Sequence, residues 1–154
     1  MSTYTFENIQ EFVGKEVGVS DWVLIDQERI NQFADCTEDH QWIHVDVEKA
    51  KAFSPSGATI AHGFLTLSLL PKFNGEMGII PAGVLQVFNY GADYVRFLSP
   101  VKVGSRIRNR VTLLAVEPKG KGRVLLKTRN TVEIEGEDKP AMVADTLSLV
   151  LLAE

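Results

Sequence analysis

His40, His44 and His62 are all the histidines of the chain, and they crowd into one short window with Asp39 and Asp46. Imidazoles titrate near neutrality, so gathering them beside carboxylates marks a place to look for acid–base or metal chemistry. The plain alternative is an exposed His40 and two histidines satisfied within the structure. His40 and His44 are spaced i, i+4, which on a helix aims two rings at one face, as zinc requires. The hydrolytic form of that motif needs a glutamate after the first histidine, but Gln41 stands there and cannot take a proton from water. The segment also follows a helix end rather than opening a long helix, so no metal is expected. Asp39 and His44 form a different pair. Five residues apart, they lie about 140° from each other around a helix, so only a bending connection brings them together. A carboxylate and an imidazole aimed at one point can hold a water between them, one taking its proton and the other delivering a proton elsewhere.

A second element is Ile60-Ala61-His62-Gly63-Phe64, which opens an apolar helix. The first amides of a helix lack intrahelical partners and carry the positive end of its dipole. Gly63 has no side chain to shield its N–H, so a developing oxyanion can approach it closely. The competing reading is a glycine placed where helix and sheet pack tightly. Ser68 is a polar group among the leucines of the same helix. It either bonds to a carbonyl of its own helix or reaches the Asp39 carboxylate and steadies it. Arg106, Arg108, Arg110, Lys127 and Arg129 fall on alternating positions of two strands. A solvated outer face is the simpler reading; contact with an anionic ligand such as a nucleotide phosphate is the sharper one, with Arg96 a further candidate.

The elements that must position these groups follow from punctuation and period. Asp26 is placed to cap a helix over Gln27 to Ala34, and Asp46 one over Val47 to Phe53, which Ser54-Pro55 ends. From Ala52 to Pro71 there is no Asp, Glu, Lys or Arg, and the helical part, about Ala61 to Leu70, is apolar nearly all round. It is about half the length a membrane span needs, so protein must cover it. Beyond it the period becomes two: Val84 to Tyr90, Tyr94 to Leu98, Arg106 to Val116, Arg123 to Glu135 and Ala141 to Leu152 are expected strands, with Val17 to Leu24 an extra one at the start. One buried helix followed by long antiparallel strands implies a sheet wrapped around a helix, the hot-dog fold of the α+β class.

Composition narrows the class. The chain has 154 residues, 45% of them apolar, which suits one domain spanning residues 1–154. Net charge is −4, which argues against a dedicated nucleic-acid binder. The single cysteine, Cys36, forms no intrachain disulfide, and Met1 to Gln10 lacks the basic flank and apolar run of a signal peptide. A cytoplasmic domain without membrane association is expected.

Glu38-Asp39-His40-Gln41-Trp42-Ile43-His44-Val45-Asp46, followed by Ile60-Ala61-His62-Gly63-Phe64-Leu65-Thr66-Leu67-Ser68-Leu69, resembles the MaoC-like (R)-specific enoyl-CoA hydratases. The similarity runs over nearly the whole chain, including Asn89-Tyr90-Gly91 and Val95-Arg96-Phe97, and is strongest to the Gln-Trp-Ile-His branch that includes nodulation protein N-like proteins. The usual motif of the family is Gly-Asp-x-Asn-Pro-(Ile/Leu)-His. Asp39 and His44 match its acid–base pair, Gly63 its oxyanion glycine and Ser68 the serine that supports the aspartate. The departures are Glu38 for Gly, Gln41 for Asn and Trp42 for Pro. They leave the catalytic atoms in place and bear on the bend of the loop and on substrate preference.

The resemblance implies reversible hydration of a trans-2-enoyl-CoA to the (R)-3-hydroxyacyl-CoA, without metal or redox cofactor, by a homodimer acting on an acyl-CoA thioester. It leaves open which of Asp39 and His44 takes the proton of water, since coupled groups share their titration; Asp39 is the favoured base. A hot-dog acyl-CoA thioesterase is the nearest rival, because one fold hosts both chemistries. A non-catalytic acyl-CoA-binding module is a rival of another class.

Overall fold

The computed structural model describes residues 4–153. A short 3-10 turn (Ile9–Phe12) leads into β1 (Glu16–Val19) and β2 (Val23–Ile25). Three helices follow, α1 (Gln27–Thr37), α2 (Trp42–Val45) and α3 (Val47–Phe53), and then α4 (Gly63–Ser68) and α5 (Leu70–Met77). The chain finishes in β3 (Val84–Phe97), β4 (Ser105–Gly120), β5 (Arg123–Ile134) and β6 (Met142–Leu152). These strands and β1 pair antiparallel in the order β1-β4-β5-β6-β3, with β2 also on β4.

The alternation along β4 and β5 explains where the core lies. Ile107, Val111 and Leu113 of β4, and Leu126, Val132 and Ile134 of β5, are all buried on one face. Leu65, Leu69, Leu70 and Phe73 of the α4–α5 segment join Ile107, Val132, Ile134, Met142 and Ala144 of the sheet in one apolar cluster. A second cluster at the other end of the sheet joins Ile9 to Leu113, Val124, Leu126 and Val150. This is the expected hot-dog arrangement of a sheet around a helix.

Three details differ from the sequence expectation, each for a local reason. The apolar helix is two helices, because Pro71 has no N–H to continue the first one and sits instead in the first turn of α5. The initial strand is broken at Ser20–Trp22, yet its contact with β4 persists: the Ser20 amide donates to the Asn109 carbonyl at 2.9 Å, and the Asn109 amide donates to Ser20 Oγ at 2.9 Å. The strands expected on either side of Gly91 are one strand, β3, which absorbs Gly91 through register irregularities at Asn89/Gly91 and Ala92/Tyr94. Among the described residues, no helix is long and apolar enough to cross a membrane.

Candidate active site

The loop between α1 and α2 is aimed by a backbone turn. Asp26 caps the start of α1 through the Arg29 amide at 2.9 Å, and the helix ends at Glu38 in the left-handed conformation, φ 62°. Asp39 follows with an exposed side chain, its Oδ1 accepting from the Gln41 amide at 3.3 Å. Trp42 then starts α2, a position where proline is also at home, so that departure leaves the helix start intact. Asp46 uses its carboxylate to cap α3 through the Lys49 amide at 3.0 Å. His40 turns outward to Asp35, 2.9 Å away, with both side chains largely in solvent. The i, i+4 histidine pair is therefore not a site.

His44, by contrast, is buried on α2. Its Nδ1 lies 2.7 Å from the Ile60 carbonyl, which can only accept, so Nδ1 carries the hydrogen and Nε2 presents a lone pair. The surrounding backbone is clamped from both sides. Gln27 Nε2 donates to the His44 carbonyl at 2.7 Å, Thr59 Oγ1 donates to Gln27 Oε1 at 2.5 Å, and the Ile60 amide donates to the Ile43 carbonyl at 3.0 Å. Burial holds the His44 pKa below the ordinary imidazole value. The Ile60 carbonyl opposes that shift, the neighbouring His62 adds to it, and Asp39 opposes it.

One potential ligand atom from each of Asp39, His44 and His62 lies within 4.8 Å of the other two. A water 2.8 Å from two such atoms spans a gap of this size without strain. The same three residues invite a metal reading. The two rings are stacked, centroids 3.8 Å apart and planes inclined at 24°. Lone pairs lie in the ring planes, so these two run side by side rather than converging on one ion, and the arrangement suits a hydrogen-bonded water better than tetrahedral zinc. The sequence marked His62 as one of the three clustered histidines without giving it a role; the burial and stacking that set it here arise from tertiary packing.

Gly63 is the first residue of α4, and among the described residues its amide has no intrahelical acceptor and no other backbone acceptor. A Cβ built there would meet three ring carbons of Phe97 at 3.1 Å. The close approach of α4 to β3 therefore favours glycine, as the packing reading expects, and among the described residues its N–H has no backbone acceptor.

The structure does not join Ser68 to Asp39. Its hydroxyl donates to the Leu65 carbonyl of its own helix at 2.7 Å, the local alternative expected of a polar residue on an apolar helix. Nor does it bring Arg108 or Arg129 to the histidines. Both lie on the sheet face opposite the core and hold carboxylates: Arg108 Nε donates to Glu133 at 2.6 Å, and Arg129 makes two bonds of 2.8 Å to Asp145. Arg106 and Arg110 are likewise paired, with Glu135 and with Glu16 and Glu133, and Lys127 with Asp93. Arg96 is exposed, stacked on Tyr94 and bonded to the Val95 carbonyl. The solvated-face reading fits this ladder, because cations already matched to fixed carboxylates are poor phosphate receptors.

Comparison with known families is decisive about ancestry. The model of the MaoC like domain matches residues 8–135. The chain belongs to the MaoC-like family. Among relatives of this MaoC-like protein, 3-hydroxyacyl-thioester dehydratase Z of Mycobacterium tuberculosis is 51% identical over 146 residues, covering 93% of this chain and 95% of the relative. Nodulation protein N of Rhizobium leguminosarum bv. viciae is 44% identical over 151 residues, covering 97% and 93% respectively. The crystal structure of a MaoC-like dehydratase from Rhodospirillum rubrum matches with a TM-score of 0.75 at 21% identity, over 92% of this chain and 94% of that one. That likeness supports the fold.

Proposed function

We propose that this MaoC-like protein is an (R)-specific enoyl-CoA hydratase, a hydro-lyase that adds water reversibly to trans-2-enoyl-CoA. The observation that carries the reading is the fixed tautomer of His44 beside the Asp39 carboxylate. Its kinship with a 3-hydroxyacyl-thioester dehydratase agrees with the reaction run in reverse.

In the proposed reaction one water donates one O–H to His44 Nε2 and the other to Asp39. We assign the base to His44 rather than to Asp39, because a neutral imidazole with Nδ1–H committed to Ile60 begins the reaction as an acceptor. The water oxygen bonds to C3 as its proton passes to His44. The C2=C3 electron pair shifts toward the thioester, whose oxygen gains negative charge and meets the Gly63 amide. The imidazolium then returns its proton to C2 on the same face, so one H and one OH are added and the enzyme is restored.

The experiment is incubation with crotonyl-CoA while enoyl absorbance and free thiol are followed together. Loss of absorbance without thiol release is expected. Thiol release would instead indicate a thioesterase, and neither signal a binding module.

The working unit in this reading is a homodimer of one domain per chain, in the cytoplasm in keeping with a single free cysteine. Support for the dimer comes from β3, a fourteen-residue strand at the sheet edge that exposes Leu85, Val87, Phe88 and Tyr90. Long apolar edges pair with other chains unless something blocks them. Light scattering at micromolar concentration should therefore give twice the chain mass of 17.1 kDa. A fully active particle of the single-chain mass would refute the dimer.

A further inference from the structure

His62 takes no part in the proton transfers just described, yet it is only 3% exposed. Its Nε2–H donates to the backbone carbonyl of Asp39 at 2.9 Å, across twenty-three residues of chain. Its ring stacks on His44, and Phe33 of α1 packs against it with centroids 4.8 Å apart. One side chain thus touches the loop that carries the carboxylate and the ring that carries the base.

The remaining nitrogen sharpens the point. His62 Nδ1 is buried and, among the described residues, has no hydrogen-bond partner. An orphaned buried acceptor costs about 1–3 kcal/mol, and a leucine of similar volume would fill the space without that penalty. Packing alone does not account for an imidazole here.

We propose that His62 is a positioning residue that aims both members of the acid–base pair at once, tethering Asp39 through its carbonyl and walling His44 in place through its ring. This rests on the hydratase reading and adds to it a third side chain that never touches the reacting atoms. Catalysis of this kind depends on aim: a displacement of about 1 Å can lower turnover about 10²-fold. Among the described residues, the titratable side chains that act on the charge of His44 are Asp39 from the loop and His62 from the start of α4; α1 contributes the uncharged Gln27, bonded to the His44 carbonyl, and Phe33, packed on His62. Removing His62 therefore changes the electrostatics of His44 as well as its position.

Three substitutions separate the two contacts. His62→Phe keeps the stacked ring and loses the donor; His62→Gln keeps an N–H near the Nε2 position and loses the stack; His62→Leu loses both. With crotonyl-CoA, His62→Leu should lower kcat roughly 10²-fold with KM within about twofold, and Phe and Gln should each recover part of the loss. Circular dichroism checks that each variant is folded, and His62→Gln serves if His62→Leu is not. Independently of turnover, NMR titration should show the His44 midpoint moving upward in His62→Phe, because the adjacent imidazole no longer opposes its protonation. Folded variants with wild-type kcat and an unmoved His44 midpoint would overturn the proposal. If the wild-type protein lacks turnover altogether, the hydratase reading fails; an unmoved His44 midpoint in folded His62→Phe then overturns the contact between the two rings.

Discussion

Asp39→Asn and His44→Gln are each expected to lower kcat for crotonyl-CoA hydration by about 10²–10⁴, the usual worth of general acid–base catalysis. The asparagine keeps the shape of the carboxylate and removes its charge; the glutamine keeps a hydrogen-bonding group and removes the basic nitrogen. KM should hold, since neither side chain is asked to retain the CoA. The double variant should be scarcely worse than the worse single variant, because both residues act on one water. Acid dependence follows from the tautomer. His44 must be neutral to accept a proton, so the rate falls as pH drops through its pKa. Burial sets that pKa below the ordinary imidazole value, so the acid limb should lie below the range of a free histidine. Near-wild-type turnover in both folded single variants would reject the pair.

Gly63→Ala should have the next largest effect on catalysis, about 10²-fold in kcat. The added methyl meets Phe97 ring carbons at 3.1 Å, so the ring or the first turn of α4 must give by a few tenths of an ångström. A shift of the first turn moves the amide away from the thioester oxygen it is proposed to meet. Phe97→Leu in the same chain should relieve the contact and recover part of the rate. If Gly63 serves packing alone, Gly63→Ala will lower Tm and leave kcat unchanged; measuring both on one preparation separates the two roles.

The long strands, the buried helix and the Asp39–His44 pair were readable because each leaves a local mark: a period of two, a run without charge, a spacing that only a bend can close. What escaped depends on contacts between segments far apart in sequence. Ser68 offered two partners, and only the path of α4 chose Leu65 over Asp39. Arg108 and Arg129 alternated as a face should, but the carboxylates that occupy them sit on neighbouring strands, set by register. Gly91 looks like a turn and is instead absorbed into a strand whose partner, β6, lies far along the sequence. Glu38 shows the same limit at the site itself. It adopts a conformation that glycine enters freely and other residues at a cost of about 1–2 kcal/mol, and nothing in its side chain announces this.

The strand order carries a further consequence for the order of events during synthesis. β4 and β5, and then β5 and β6, can pair as each is made, but among the described residues β3 pairs with β6 alone. When Val84–Phe97 leaves the ribosome its partner has not been translated, and Met142–Leu152 comes last of all the strands. Throughout that interval Leu85, Phe88 and Tyr90 have neither a neighbouring strand nor a second copy to pair with. A nascent chain in this state exposes an apolar edge to every other chain nearby. The stretch from β4 to β6 thus sets a delay during which chaperone capture competes with aggregation, and slowing translation within it should lower the yield of folded protein.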